Sequence, residues 1–142
     1  MKSFLPKDPG ANREWFVVDA AGIPLGRLAV KVANTLRGKD KPTFNPAVDT
    51  GAFVIVVNAE KVALSGSKEQ QKIYQSYSGW RGGRRTATAA KVREREPERM
   101  VFQAVRGMLP GNHLCKRMLT RLKVFVGPEH THQAQQPKPM TI

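Results

Sequence analysis

Apolar residues recur along this chain with two different periods, and those periods set the expected order of elements. Residues 15–20, WFVVDA, are a short apolar run bounded by Gly22 and Pro24, the pattern of a strand buried on both faces. Leu25, Leu28, Ala29, Val32, Ala33 and Leu36 then fall on one helix face, with Gly38 placed to end the helix. Arg27, Lys31 and Asn34 share its outer face. Residues 53–58, FVIVVN, repeat the buried-strand pattern, so the two strands and the helix between them should form a right-handed parallel unit. Residues 38–51 read as loop, and residues 59–65 as a helical turn or short helix before the Ser65-Gly66-Ser67 break. Residues 72–77, KIYQSY, alternate polar and apolar and carry two tyrosines, which suits an edge strand.

The second half of the chain is helical in pattern. Met100, Val101, Ala104, Val105 and Met108 make one stripe, with Arg99, Gln103 and Arg106 opposite. Pro97 suits the first turn, where a missing N–H costs nothing, and Pro110 stops the helix. Leu114, Cys115, Met118, Leu119 and Leu122 form a second stripe, with Lys116, Arg117 and Arg121 outside it. Residues 123–126 read as a last short strand before Gly127 and Pro128. This alternation predicts an α/β fold of three layers, α/β/α, around a mostly parallel sheet of about four strands. It divides the chain into an N-terminal arm at 1–14, a single α/β domain at 15–126 and a C-terminal tail at 127–142.

Charge narrows the function. The 142 residues suffice for one domain with a real core, and 24 Lys and Arg against 11 Asp and Glu give a formal charge of +13. That balance favours nucleic acid or an anionic membrane over a neutral small molecule. No apolar run approaches the ~18 residues that span a bilayer, and Pro6, Lys7, Asp8 and Pro9 interrupt any signal-peptide core. One cysteine, Cys115, excludes an internal disulfide, fits a reducing compartment and lies on an apolar stripe as a packing residue. The expected location is the cytoplasm.

The cations are not spread evenly. Residues 100–127 hold Arg106, Lys116, Arg117, Arg121 and Lys123 and no acid; residues 70–93 hold Lys72, Arg81, Arg84, Arg85, Lys91 and Arg93 and again no acid. Within the second block, residues 79–86, GWRGGRRT, read as a glycine-rich loop whose arginines can fork onto phosphate oxygens. Trp80 there either stacks on an unpaired base or packs into the core. Arg37, Lys39 and Lys41 form a third cluster at the end of the first helix, where they also complement its dipole. Glu94, Glu96 and Glu98 among Arg93, Arg95 and Arg99 read as a solvated helix entrance rather than a site.

Catalytic signatures are missing. His130-Thr131-His132 beside Glu129 lacks a third ligand and a rigid support, so no metal is expected. No Gly-x-Gly-x-x-Gly joins the first strand to its helix, and no Walker loop, Ser-His-Asp set or paired carboxylates occur. Asp19 and Asp49 are placed as active-site carboxylates often are, yet turn and capping roles explain both. No catalytic, cofactor or metal residue is assigned.

Several ordered motifs carry a resemblance. Val105-Arg106-Gly107-Met108-Leu109-Pro110, followed by Leu122-Lys123-Val124-Phe125-Val126-Gly127, resembles the signature region of bacterial large-subunit ribosomal protein thirteen. Val17-Val18-Asp19-Ala20, Leu25-Gly26-Arg27-Leu28-Ala29, Leu36-Arg37-Gly38-Lys39 and Val48-Asp49-Thr50-Gly51 resemble that family in the same order. The chain departs from the family pattern at Ala52, Tyr77 and Cys115-Lys116, none of which removes a positive charge. The resemblance implies a structural constituent of the large subunit that binds large-subunit (23S-type) ribosomal RNA, touches neighbouring ribosomal proteins and supports assembly. It implies neither cofactor nor small-molecule substrate. Charge and spacing alone imply a polyanion, and the alternative is an RNA- or nucleotide-modifying enzyme on a basic α/β scaffold. The residues expected to meet RNA are Arg37, Lys39, Lys41, Arg81, Arg84, Arg85, Arg106, Lys116, Arg117, Arg121 and Lys123.

Overall fold

Strand β1 (Trp15–Asp19) and strand β2 (Phe53–Val57) pair in parallel, from Trp15 opposite Phe53 to Asp19 opposite Val57, with helix α1 (Leu25–Arg37) between them in the chain. The computed structural model describes residues 5–6 and 13–142, so most of the expected N-terminal arm lies outside the described residues. Helix α1 buries Leu25, Leu28, Ala29, Val32, Ala33 and Leu36, the stripe expected from spacing, and closes on Gly38 at φ 77°. Each fully buried branched aliphatic side chain of this kind contributes about 1.5–3 kcal/mol. Returning from α1, the chain passes its end so closely that a Cβ on Gly51 would lie 1.7 Å from the Leu36 carbonyl oxygen. Only glycine fits there.

A 3₁₀ turn (Ala59–Lys61) and a short helix α2 (Lys68–Gln71) lead to strands β3 (Ile73–Tyr77) and β4 (Arg84–Thr88). Helix α3 (Ala89–Arg95), helix α4 (Pro97–Met108), helix α5 (His113–Thr120) and strand β5 (Leu122–Val124) follow. Two helices replace one continuous helix at residue 96 because Glu96, preceding Pro97, leaves helical geometry at φ −145°, ψ 67°. Pro97 starts α4, and Leu109 before Pro110 ends it in extended backbone, as expected. Asn112 caps α5 by accepting from the Cys115 N–H at 3.2 Å.

Strand β5 pairs in parallel with β2, and a final strand β6 (Lys138–Pro139) pairs in parallel with β1, giving the order β5-β2-β1-β6. Helices flank this four-strand parallel sheet, consistent with the expected three-layer α/β/α class. Val18, Val54 and Val56 meet α1, Val101 and Val105 of α4, and Met118 of α5 in one apolar core. On the alternate side-chain positions Trp15 stacks on Phe53 with centroids 4.1 Å apart, and His132 lies against Trp15 at 5.1 Å.

Two expectations need correction. Residues 73–77 do not join the main sheet: β3 pairs antiparallel with β4 in a separate hairpin, from Ile73 opposite Thr88 to Tyr77 opposite Arg84. The sheet's fourth strand comes instead from the tail, where Pro139 is tolerated because an edge strand has no ladder bond to lose there. Met140 donates its N–H to the Val17 oxygen at 2.9 Å and packs against the core. The packed unit therefore extends beyond Val126. A chain ending at Val126 is expected to melt cooperatively but roughly 5 °C or more below the full chain, since it loses β6 and the cover over Trp15. Calorimetry checks this; equal melting temperatures would show that the tail adds no stability.

Candidate nucleic-acid interface

The β3–β4 hairpin is anchored at one end only. Tyr74 is buried with Ala89, Val92 and Met100 in a second small core, against Leu64 and Ala87. Arg93 fastens its base, giving Nε and Nη2 to the Glu69 carboxylate at 2.7 and 3.0 Å and Nη1 to the Val62 oxygen at 3.0 Å. That forked bond holds the Glu69 carboxyl below its ordinary range. Arg93, counted among the cations of its block, is thus a structural residue.

Toward its tip the hairpin is exposed on both faces. Trp80 is 79% exposed and Tyr77 68% exposed, so Trp80 does not pack into the core. The residues expected as a loop form a tight turn, with Gly83 donating its N–H to the Trp80 oxygen at 2.9 Å and Gly82 at φ 75° in the third position. Arg84 and Arg85 are consequently strand residues, and neighbours in a strand point to opposite faces. Arg84 shares one face with Gln75 and Tyr77. Arg85 instead lines a groove with Lys91, Arg95 and Arg99. Arg81, Arg84 and Arg85 are exposed and make no ion pair among the described residues.

The other expected cations divide by element. Arg106 on α4 and Lys116 and Arg117 on α5 are exposed, while Lys123 on β5 is half-buried. After α1, Lys39 is exposed, Lys41 is half-buried, and Arg37 lies over the Phe44 ring at 5.8 Å. These cations belong to different elements: the hairpin, α4 and α5 with β5, and the end of α1.

Arg121 corrects the expected set. Helical spacing put it outside the α5 stripe, but α5 ends at Thr120 and residue 121 is its C-cap, where the chain turns into β5. Its side chain is 6% exposed. It is bonded to both oxygens of the Asp49 carboxylate, and Nη2 and Nε donate to the Leu36 and Ala52 oxygens at 3.0 and 3.4 Å. Arg13 adds a second cation to Asp49 at 3.3 Å. Burial alone would raise the Asp49 pKa, yet the Arg121 bonds and charge, helped by Arg13, hold it below its ordinary 3.8. These bonds take up four of the five N–H donors of Arg121. Asp49 is an ion-pair residue rather than a cap.

Lys91, Arg95 and Arg99 are cations outside the set expected to meet RNA. Lys91 and Arg95 lie one turn apart on α3 and Arg99 stands in the first turn of α4, while the interleaved Glu94, Glu96 and Glu98 make the stretch read as mixed charge. His130 and His132 pack on Phe125 and Trp15 as aromatic rings. Among the described residues no three His, Cys, Asp or Glu side chains gather as a metal site, and no helix is long and apolar enough to cross a membrane. Asp19 takes the expected turn role, accepting from the Ala21 N–H at 2.9 Å and from Asn58 Nδ2 at 2.8 Å.

A family model described as ribosomal protein L13 matches residues 13–131. The chain belongs to the ribosomal protein L13 family. Within the L13 family, it is 56% identical to the large ribosomal subunit protein uL13 of Dictyoglomus thermophilum over the whole of both chains. The same protein of Coprothermobacter proteolyticus is 53% identical, over all of this chain and 99% of its own. That of Methylococcus capsulatus is 51% identical over the whole of both. The L13 match spans β1 through β5 and so includes the hairpin, both basic helices and the Asp49–Arg121 pair.

Proposed function

We propose that this chain is a structural constituent of the large ribosomal subunit, binding large-subunit (23S-type) ribosomal RNA and supporting subunit assembly in the cytoplasm. Its further partners are neighbouring proteins of that subunit. The observation that carries this reading is full-length similarity to chains named large ribosomal subunit protein uL13. The physical support is a hairpin that, beyond its anchor at Tyr74, projects a tryptophan and three arginines that make no ion pair among the described residues. An isolated two-stranded hairpin is marginal in water, and a polyanion laid along it supplies what its fold does not. The relatives' names describe a ribosomal subunit protein and lend the modifying-enzyme alternative no support.

On this reading Arg37, Lys39, Lys41, Arg81, Arg84, Arg85, Arg106, Lys116, Arg117 and Lys123 face RNA, and Trp80 offers a ring for a base. Binding of the full chain to a large-subunit RNA transcript should fall steeply with salt. Neutralising ~6 to 10 phosphates gives a log–log slope between about −4 and −9. Filter binding across a salt series measures it, and a nearly flat plot would remove the electrostatic basis of the proposal.

A further inference from the structure

We infer that the groove between the β3–β4 hairpin and the α3–α4 junction is a seat for a backbone phosphate of RNA. This inference rests on the RNA-binding reading above and adds to it a particular place and new residues. The groove encloses about 480 Å³. Arg85 enters it from β4, Lys91 and Arg95 from α3 and Arg99 from α4, with Glu96 as its one carboxylate. Glu96 is engaged by Arg99 at 3.4 Å, leaving Arg85, Lys91 and Arg95 without an ion-pair partner among the described residues. Lys91 and Arg95 are one helical turn apart and so lie side by side. Tyr74, which also lines the groove, keeps a buried hydroxyl with no hydrogen-bond partner among the described residues.

Cations brought together from a strand and two helices repel one another unless an anion lies between them. Guanidinium forks match the oxygens of phosphate, and the further exposed arginines on the same hairpin favour a phosphate carried on a chain over a free one. The same hairpin holds Arg81 in its exposed tip turn, so one strand of RNA running down the groove-side face would meet the tip first and the groove next.

The test uses the full chain and a large-subunit RNA transcript. Lys91→Gln with Arg95→Gln removes two exposed charges without touching either core. At physiological salt the variant should bind at least tenfold more weakly, with a salt slope shallower by about 1.4 to 1.8 and an unchanged melting temperature. Wild-type binding by the variant, with the parent's slope still steep, would overturn the groove and leave the proposed function standing. A flat slope for the parent would overturn both. Acetylation with acetic anhydride, read by mass spectrometry, gives a second readout that needs no variant. RNA should protect Lys91 but not Lys61, and inorganic phosphate at the same ionic strength should protect Lys91 far less. Equal protection by inorganic phosphate would make the groove a free-anion site and overturn the assignment to RNA.

Discussion

Asp49→Ala is expected to lower the melting temperature at pH 7 by about 10 °C or more, the largest stability effect of any single substitution considered. It strands the Arg121 guanidinium, whose side chain is 6% exposed, with two carbonyl oxygens and no counter-charge. Arginine cannot shed its proton to escape. Breaking a buried pair in this way costs about 3–5 kcal/mol, and for a domain of this size each kcal/mol moves the midpoint by roughly 3–5 °C. Arg121→Leu should cost less, because Asp49 keeps Arg13 and can also take up a proton. Because the Asp49 pKa is depressed in the folded state, its contribution is present above the ordinary value of 3.8 and is lost as pH falls through the folded value. Thermal melts at pH 7 and in acid should therefore show the wild type and Asp49→Ala converging as pH falls. A constant gap would mean that the carboxylate's charge is not what stabilises this corner.

Changing both Arg84 and Arg85 to glutamate is expected to weaken binding to a large-subunit RNA transcript at least tenfold and to flatten its salt dependence. Each substitution removes an attraction to phosphate and adds a repulsion. Both side chains are exposed on β4 and make no ion pair among the described residues, so the melting temperature should barely move. Arg27→Glu is the control, an exposed cation on α1 outside both acid-free blocks. It should change affinity far less. Binding titrations at two salt concentrations, with a melt of each variant, decide the matter. If the double variant binds like wild type, the hairpin faces solvent and the RNA surface lies on Arg106, Lys116, Arg117 and their neighbours.

Local pattern was enough wherever one element's own periodicity decided its state. The stripe of α1, its Gly38 end, the Pro97 and Pro110 limits of α4 and the buried run of β2 were all legible, because each depends on residues within a few positions of one another; β1 was legible as a strand but is half-buried apart from the buried Val18 and the exposed Asp19. The exposed arginines at 81, 84 and 85 were legible too, since a glycine-rich, acid-free stretch has nothing with which to bury a charge.

What the chain could not show locally was pairing between distant segments. Residues 73–77 alternate as an edge strand should, but alternation does not say which partner a strand takes, and β4 lies nearer in sequence than the sheet does. Residues 138–139 carry a proline and no strand pattern, and become β6 only because β1 offers an open edge. Arg121 looks like any surface cation until the fold brings Asp49, 72 positions away, against its guanidinium. Arg95 and Arg99 look neutralised by their glutamate neighbours until the fold turns them, with Lys91, toward Arg85. By itself the sequence determined the amount of positive charge, the helices α1 and α4, the strands β1 and β2, and the family. Only the tertiary structure decided which cations are internal counter-ions and which remain to meet a polyanion, because that depends on burial and on partners contributed by remote parts of the chain.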